Sequence, residues 1–223
     1  MSAGVRPANA ADPRPQATGI VLAGGVGRRF GGDKLAAELD GRPLLHHAIL
    51  AVAAVTCEIV VVVAPGAPAP PLPADAGVPI RVTHDAVAGE GPLAGLAAGL
   101  AAAREPLALV VGGDQPSLRP ALLAALLAPL EPGAPDPIPD AVILEDAGRL
   151  WPLPAALRVE TAAPAAAATL ALGRRSLLGL IDRLRTRVLE SERWRAFDPD
   201  GASLLDVDHR EDLPPPAAAD PAG

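Results

Sequence analysis

The sequence predicts an α/β domain, a three-layer Rossmann-like fold with a mainly parallel sheet. Two observations carry this: short β-branched runs alternate with stretches of helical spacing, and two of those runs are apolar at every position. Alternating strand and helix patterns give a parallel sheet covered on both faces. Strands buried on both faces read as unbroken apolar runs.

Each element follows in order. Residues 19–22 form a short β-branched run that ends at a glycine-rich segment. Residues 44–55 have helical spacing behind Pro43, which suits a first helical position. Residues 59–63 are a continuous β-branched run and read as a buried strand. A Pro-rich loop at 65–73 precedes a strand at 80–83, a helix at 93–103, a strand at 107–111 and a helix at 119–127. A second Pro-rich loop leads to a strand at 141–144. Beyond 145 the pattern is less regular. The alanine run at 162–168 suggests a helix. Residues 174–184 predict an amphipathic helix with Leu177, Leu178, Ile181 and Leu184 on one stripe. Residues 187–189 and 204–207 read as short strands. The domain is expected over 18–213, with Ala- and Pro-rich disordered tails at 1–17 and 214–223. In such a sheet the ligand crevice lies beyond the carboxyl ends of the strands, so the loops after Leu22, Thr83 and Val111 should converge.

Composition narrows the function. Half of the 223 residues are hydrophobic but only 2% are aromatic, so the core must be Leu, Val, Ile and Ala. A net charge of −7 without a basic stripe argues against a nucleic-acid partner. The single cysteine, Cys57, cannot form an internal disulfide and reads as a small buried hydrophobe. No apolar stretch reaches the roughly 18 residues of a membrane span. The N-terminus lacks an apolar signal core, so the expected location is cytoplasmic. Among 19 Lys and Arg residues, Lys34 is the only lysine. A position that stays lysine in such an Arg-biased chain is a candidate for needing a compact, flexible ammonium.

Residues 22–34 read Leu-Ala-Gly-Gly-Val-Gly-Arg-Arg-Phe-Gly-Gly-Asp-Lys, with five glycines. Glycine permits positive φ and close approach of backbone N–H groups, which together can form an anion-binding nest. Arg28, Arg29 and Lys34 add positive charge where a triphosphate would sit. The segment is not a dinucleotide fingerprint, whose third glycine would fall on Phe30, nor a P-loop, because Asp33 follows Gly32. It resembles, without a gap, the signature of the molybdenum cofactor guanylyltransferase family (MobA-like NTP transferases), with Gly27 and Phe30 replacing the family's Ser and Met.

That resemblance implies a nucleotidyltransferase fold and transfer of GMP from GTP to molybdopterin. It makes Leu22, Ala23, Gly24, Gly25, Lys34, Asp85 and Asp114 the nucleotide-binding candidates, and Lys34, Asp114 and Arg29 the catalytic ones. Asp114 follows a buried strand in Gly113-Asp114-Gln115-Pro116. Asp85 precedes Gly91-Pro92-Leu93-Ala94-Gly95, also similar to a family stretch. Mg²⁺, which takes carboxylate oxygens together with phosphate and water, is the implied metal, with Asp114 and Asp208 as ligands and Asp206 the weaker choice. Asp206 and Asp208 can equally be a solvated acidic strand end. Residues 146–153 resemble the family hairpin that faces the pterin, and Arg149, Arg174 and Arg175 could meet the acceptor's phosphate. Ala64-Pro65 stands where the family usually has Asn. The implied partners are GTP and molybdopterin, with neither nucleic acid nor membrane, and with room for transient contact with molybdoenzyme chaperones. Cytidylyl or other nucleotidyl transfer to molybdopterin or a sugar phosphate stays open, as does a non-catalytic nucleotide-binding regulator.

Overall fold

The computed structural model describes residues 14–24, 34–85 and 91–212. The chain forms β1 (Ala17–Leu22), a 3₁₀ turn at Lys34–Ala36, and a short hairpin of β2 (Glu38–Leu39) and β3 (Arg42–Pro43). Then come α1 (Leu44–Ala53), β4 (Glu58–Val63), β5 (Ile80–His84), α2 (Pro92–Ala102), β6 (Leu107–Gly112) and α3 (Pro120–Leu127). The last third holds β7 (Ala141–Asp146), β8 (Arg149–Arg158), α4 (Val159–Ala171), α5 (Leu177–Ile181), β9 (Thr186–Leu189) and α6 (Ser191–Trp194).

Seven strands make one sheet in the order β5-β4-β1-β6-β8-β7-β9. β1 pairs in parallel with β4 and β6, β4 with β5, and β7 with β9. β8 runs antiparallel to both β6 and β7. Alternation along the strands divides the core in two. Val21, Ile59, Val61 and Leu109 pack with α1 and α3 on one face. Ile20, Val60, Val62 and Val110 pack with α2 and α4 on the other. The result is the three-layer α/β arrangement that the unbroken apolar runs predict.

Glycine sets how closely one helix approaches. A Cβ on Gly99 of α2 would lie 2.5 Å from Ile20 Cγ2 of β1, so only a bare backbone fits there. Proline starts two helices, Pro92 in α2 and Pro120 in α3, where its missing N–H leaves no helical bond unmade.

Three expectations are corrected. The helix foreseen over 174–184 is only Leu177–Ile181, because the Ser176 side chain accepts from the Gly179 N–H and so fixes the start. Leu178 is exposed, and the buried stripe is Leu177, Leu180 and Ile181. The strand foreseen over 204–207 is absent: Ala202–Leu204 is a 3₁₀ turn, and the extended residues after it join no sheet. The ten-residue β8 was not foreseen as a strand by pattern. β1 begins at Ala17, which is fully buried. Among the described residues no helix is long and apolar enough to cross a membrane.

Candidate active site

The parallel strands β5, β4, β1 and β6 end on one edge of the sheet, and antiparallel β8 begins there. A cleft of about 560 Å³ runs along this edge. Gly24 lines its centre; Ala64, Pro65 and Asp85 line the β4–β5 side, and Arg149 and Trp151 the β8 side.

Four of the seven expected nucleotide residues fall along this cleft. Leu22, Gly24, Asp85 and Asp114 line it. Ala23 is held by its N–H, which donates to the Val62 carbonyl at 2.7 Å, and the Asp85 N–H donates to Val63 at 2.9 Å. Gly25, Arg28 and Arg29 lie outside the described residues.

Lys34 joins two of the remaining candidates. Its Nζ is 2.8 Å from Asp114 Oδ2 and 3.0 Å from Asp208 Oδ1, with the lysine side chain only 10% exposed. Burial works to lower the Lys34 pKa, but hydrogen bonds and charge from Asp114 and Asp208 outweigh it and hold the ammonium above its ordinary value. Asp206 completes an acidic group. It is exposed as a residue, yet burial of its carboxylate, then repulsion from Asp114 and Asp208, raise its pKa. One ammonium therefore answers three carboxylates.

Several supports went unforeseen. Gln115 is buried; its Oε1 accepts from the Gly112 N–H at 2.8 Å and its amide donates to the Ser203 carbonyl at 3.3 Å. Ser203 in turn is fixed by fully buried Asp198, which accepts from its N–H. The Val207 N–H donates to the Asp114 carbonyl at 3.0 Å, so the 205–208 segment is tied directly to the β6 loop. Val207 plugs a small cluster with Leu39 and Leu44. In the sequence this bracing shows as Asp206 and Asp208 alternating about apolar Val207. On the β8 side the Arg149 guanidinium stacks over Trp151, 4.3 Å from the ring centroid. Among the described residues the buried Trp151 Nε1 has no hydrogen-bond partner. Arg174 and Arg175 are exposed, just before α5.

A mainly parallel sheet whose β1 leads toward the glycine-rich segment, with Lys34, Asp114 and Asp208 joined at the carboxyl edge, suits a nucleotidyltransferase. Residues 19–188 match the MobA-like NTP transferase domain. The chain is 32% identical to the molybdenum cofactor guanylyltransferase of Desulfosudis oleivorans, over 92% of this chain and 96% of that protein. It is 38% identical to that of Burkholderia vietnamiensis, over 82% and 90%. The structure resembles molybdopterin-guanine dinucleotide biosynthesis protein A from Archaeoglobus fulgidus with a TM-score of 0.68 and 25% identity, covering 88% of this chain and 94% of that one. The chain belongs to the molybdenum cofactor guanylyltransferase family of MobA-like NTP transferases.

Proposed function

We propose that the protein transfers GMP from GTP to molybdopterin, forming the guanine dinucleotide cofactor and pyrophosphate. The observation that carries this reading is the Lys34–Asp114–Asp208 constellation at the carboxyl edge of the sheet, where Asp114 also lines the cleft. The names of the relatives supply the base and the acceptor.

In this reading Leu22, Ala23 and Gly24, with Gly25 and Arg29 beyond the described residues, cradle the triphosphate, and Asp85 meets the nucleoside. The acceptor enters from the β8 side, where Arg149 offers a cation to its terminal phosphate. An oxygen of that phosphate bonds to the α-phosphorus as the bond to the pyrophosphate oxygen breaks, in line. No side-chain nucleophile is required. Lys34 stabilises charge building on the phosphate oxygens; a preorganised cation does this at little reorganisation cost.

Asp114 and Asp208 fit Mg²⁺. They already converge on one cation, and two carboxylates are the share this ion takes from a protein when phosphate and water complete its shell. Bound there, Mg²⁺ supplies charge neutralisation of the phosphates. The test is pyrophosphate release with molybdopterin and each NTP in turn. GTP should be preferred; a preference for CTP, or transfer only to a sugar phosphate, would replace this assignment.

A further inference from the structure

Two demands fall on one ammonium. The Lys34 Nζ lies 2.8 Å from Asp114 Oδ2 and 3.0 Å from Asp208 Oδ1, between the two carboxylates that fit Mg²⁺. Magnesium binds its oxygens at about 2.1 Å, so an ion bridging these two would stand where the ammonium stands. Like charges that close repel strongly. With two N–H groups given to the carboxylates, the ammonium keeps one for a phosphate. Lys34 therefore cannot hold both carboxylates and also leave them to the metal.

The backbone around this contact is fixed. The Ala37 N–H donates to the Lys34 carbonyl at 3.2 Å, and the Leu44 N–H to the Ala37 carbonyl at 2.9 Å. Leu35 packs beside the β6 loop, its Cδ2 3.5 Å from where a Cβ on Gly113 would lie. The carboxylates are tied to each other through the bond from the Val207 N–H to the Asp114 carbonyl. What can move is the four-carbon stem of Lys34, a compact charge on rotatable bonds. An arginine would grip the carboxylates with a planar fork and let go less readily. A residue that must change partners accounts for the one lysine in a chain that otherwise uses arginine.

We propose that Lys34 is a placeholder: its ammonium fills the position between Asp114 and Asp208, yields it to the divalent metal that arrives with the nucleotide, and swings on its stem to the phosphates. Asp114, which lines the cleft, is the carboxylate at which the exchange begins. The inference rests on reading the cleft as an NTP site.

The test uses the full chain and reads metal binding rather than turnover. Mn²⁺, followed by electron paramagnetic resonance, is titrated into nucleotide-free wild type, Lys34→Ala, Lys34→Arg and Lys34→Ala/Asp114→Asn. Lys34→Ala should bind Mn²⁺ at least about tenfold more tightly than wild type, because the ion no longer displaces charge-assisted hydrogen bonds. Lys34→Arg should bind it no better than wild type, and Asp114→Asn should abolish the gain. Because Lys34 is the only lysine, isotopically labelled lysine gives one side-chain NMR signal in the wild-type chain. Mg²⁺ alone should leave that signal nearly in place; Mg²⁺ with a non-hydrolysable GTP analogue should shift it. Equal Mn²⁺ affinity in wild type and Lys34→Ala, or no Mn²⁺ binding in Lys34→Ala, overturns the exchange. So does a gain in Lys34→Arg as large as in Lys34→Ala, or a lysine signal unmoved while the analogue is bound. Failure of the wild-type chain to bind any NTP would instead overturn the underlying reading.

Discussion

The two ends of the parallel strands carry charge in opposite ways. At the amino ends Glu58 is nearly buried, and its carboxylate accepts from Thr18 Oγ1 at 2.8 Å, from the Arg81 guanidinium at 2.9 and 3.0 Å, and from the Arg104 N–H at 3.0 Å. Burial pushes its pKa up, but these bonds outweigh that and hold it below the ordinary value. At the carboxyl ends Asp114, Asp206 and Asp208 share one ammonium, and Asp206 is pushed the other way. A satisfied carboxylate stabilises the folded chain. A surplus of carboxylates around one lysine costs stability and leaves room for another cation. The first end fastens β1, β4 and β5; the second suits a site.

The contrast can be broken first at Lys34. Lys34→Ala should lower turnover by about 100- to 1000-fold, the usual loss when one preorganised donor to a transition-state oxygen is removed. Its melting temperature should fall little, because the carboxylates it frees reach solvent, with Asp114 31% and Asp208 56% exposed. Near-normal turnover would mean the carboxyl end is a structural ion pair like its opposite.

Glu58→Gln should do the reverse, leaving kcat intact at a permissive temperature and costing about 3 kcal/mol. That is the low end for breaking a buried pair, since the Arg81 side chain is 30% exposed. The pH dependence follows from the sign of the shift. Folding lowers the Glu58 pKa from 4.5, so its contribution is complete above about pH 4.5 and is lost as pH falls through the lower folded value. Asp140, lowered chiefly by its hydrogen bond to Arg185, adds the same dependence. Melting temperature against pH should therefore drop more steeply on the acid side in wild type than in Glu58→Gln; parallel curves would contradict the assignment.

The smallest effect is expected at Asp206. Its pKa is raised on folding, so its charge opposes folding at neutral pH, and that cost disappears as pH falls through the folded value. Asp206→Asn should raise the melting temperature at pH 7 by no more than about 2–4 °C, the shift made by ~1 kcal/mol in a domain of this size. A fall would show that Asp206 is held by bonds rather than repelled.

The sequence makes the amino-terminal part of the fold legible because β1, β4 and β6 are buried almost throughout and read as largely apolar runs. β8 hides from that logic. Its residues Arg149–Arg158 contain Pro152 and Pro154, which normally argue against an interior strand. The structure accommodates them where the pairing with β7 shifts register, between Trp151 and Ala156, so neither proline is required to donate there. The site is legible at Asp114 and Lys34, one placed by a strand end and the other by being the only lysine. Asp208 is legible through the family resemblance and through its alternation with Asp206 about Val207; what brings it to Lys34 is the bond from the Val207 N–H to Asp114. No local pattern encodes a contact across 174 residues. Gln115 and Asp198 stay hidden for the same reason, their roles being made by partners distant in sequence.

The most direct measurement compares wild type with Asp114→Ala for GTP binding and for pyrophosphate release in the presence of molybdopterin. A transferase predicts release by wild type and its near-complete loss in Asp114→Ala. GTP binding without release in the wild-type chain, unchanged by Asp114→Ala, would contradict the account and make the protein a nucleotide-binding regulator.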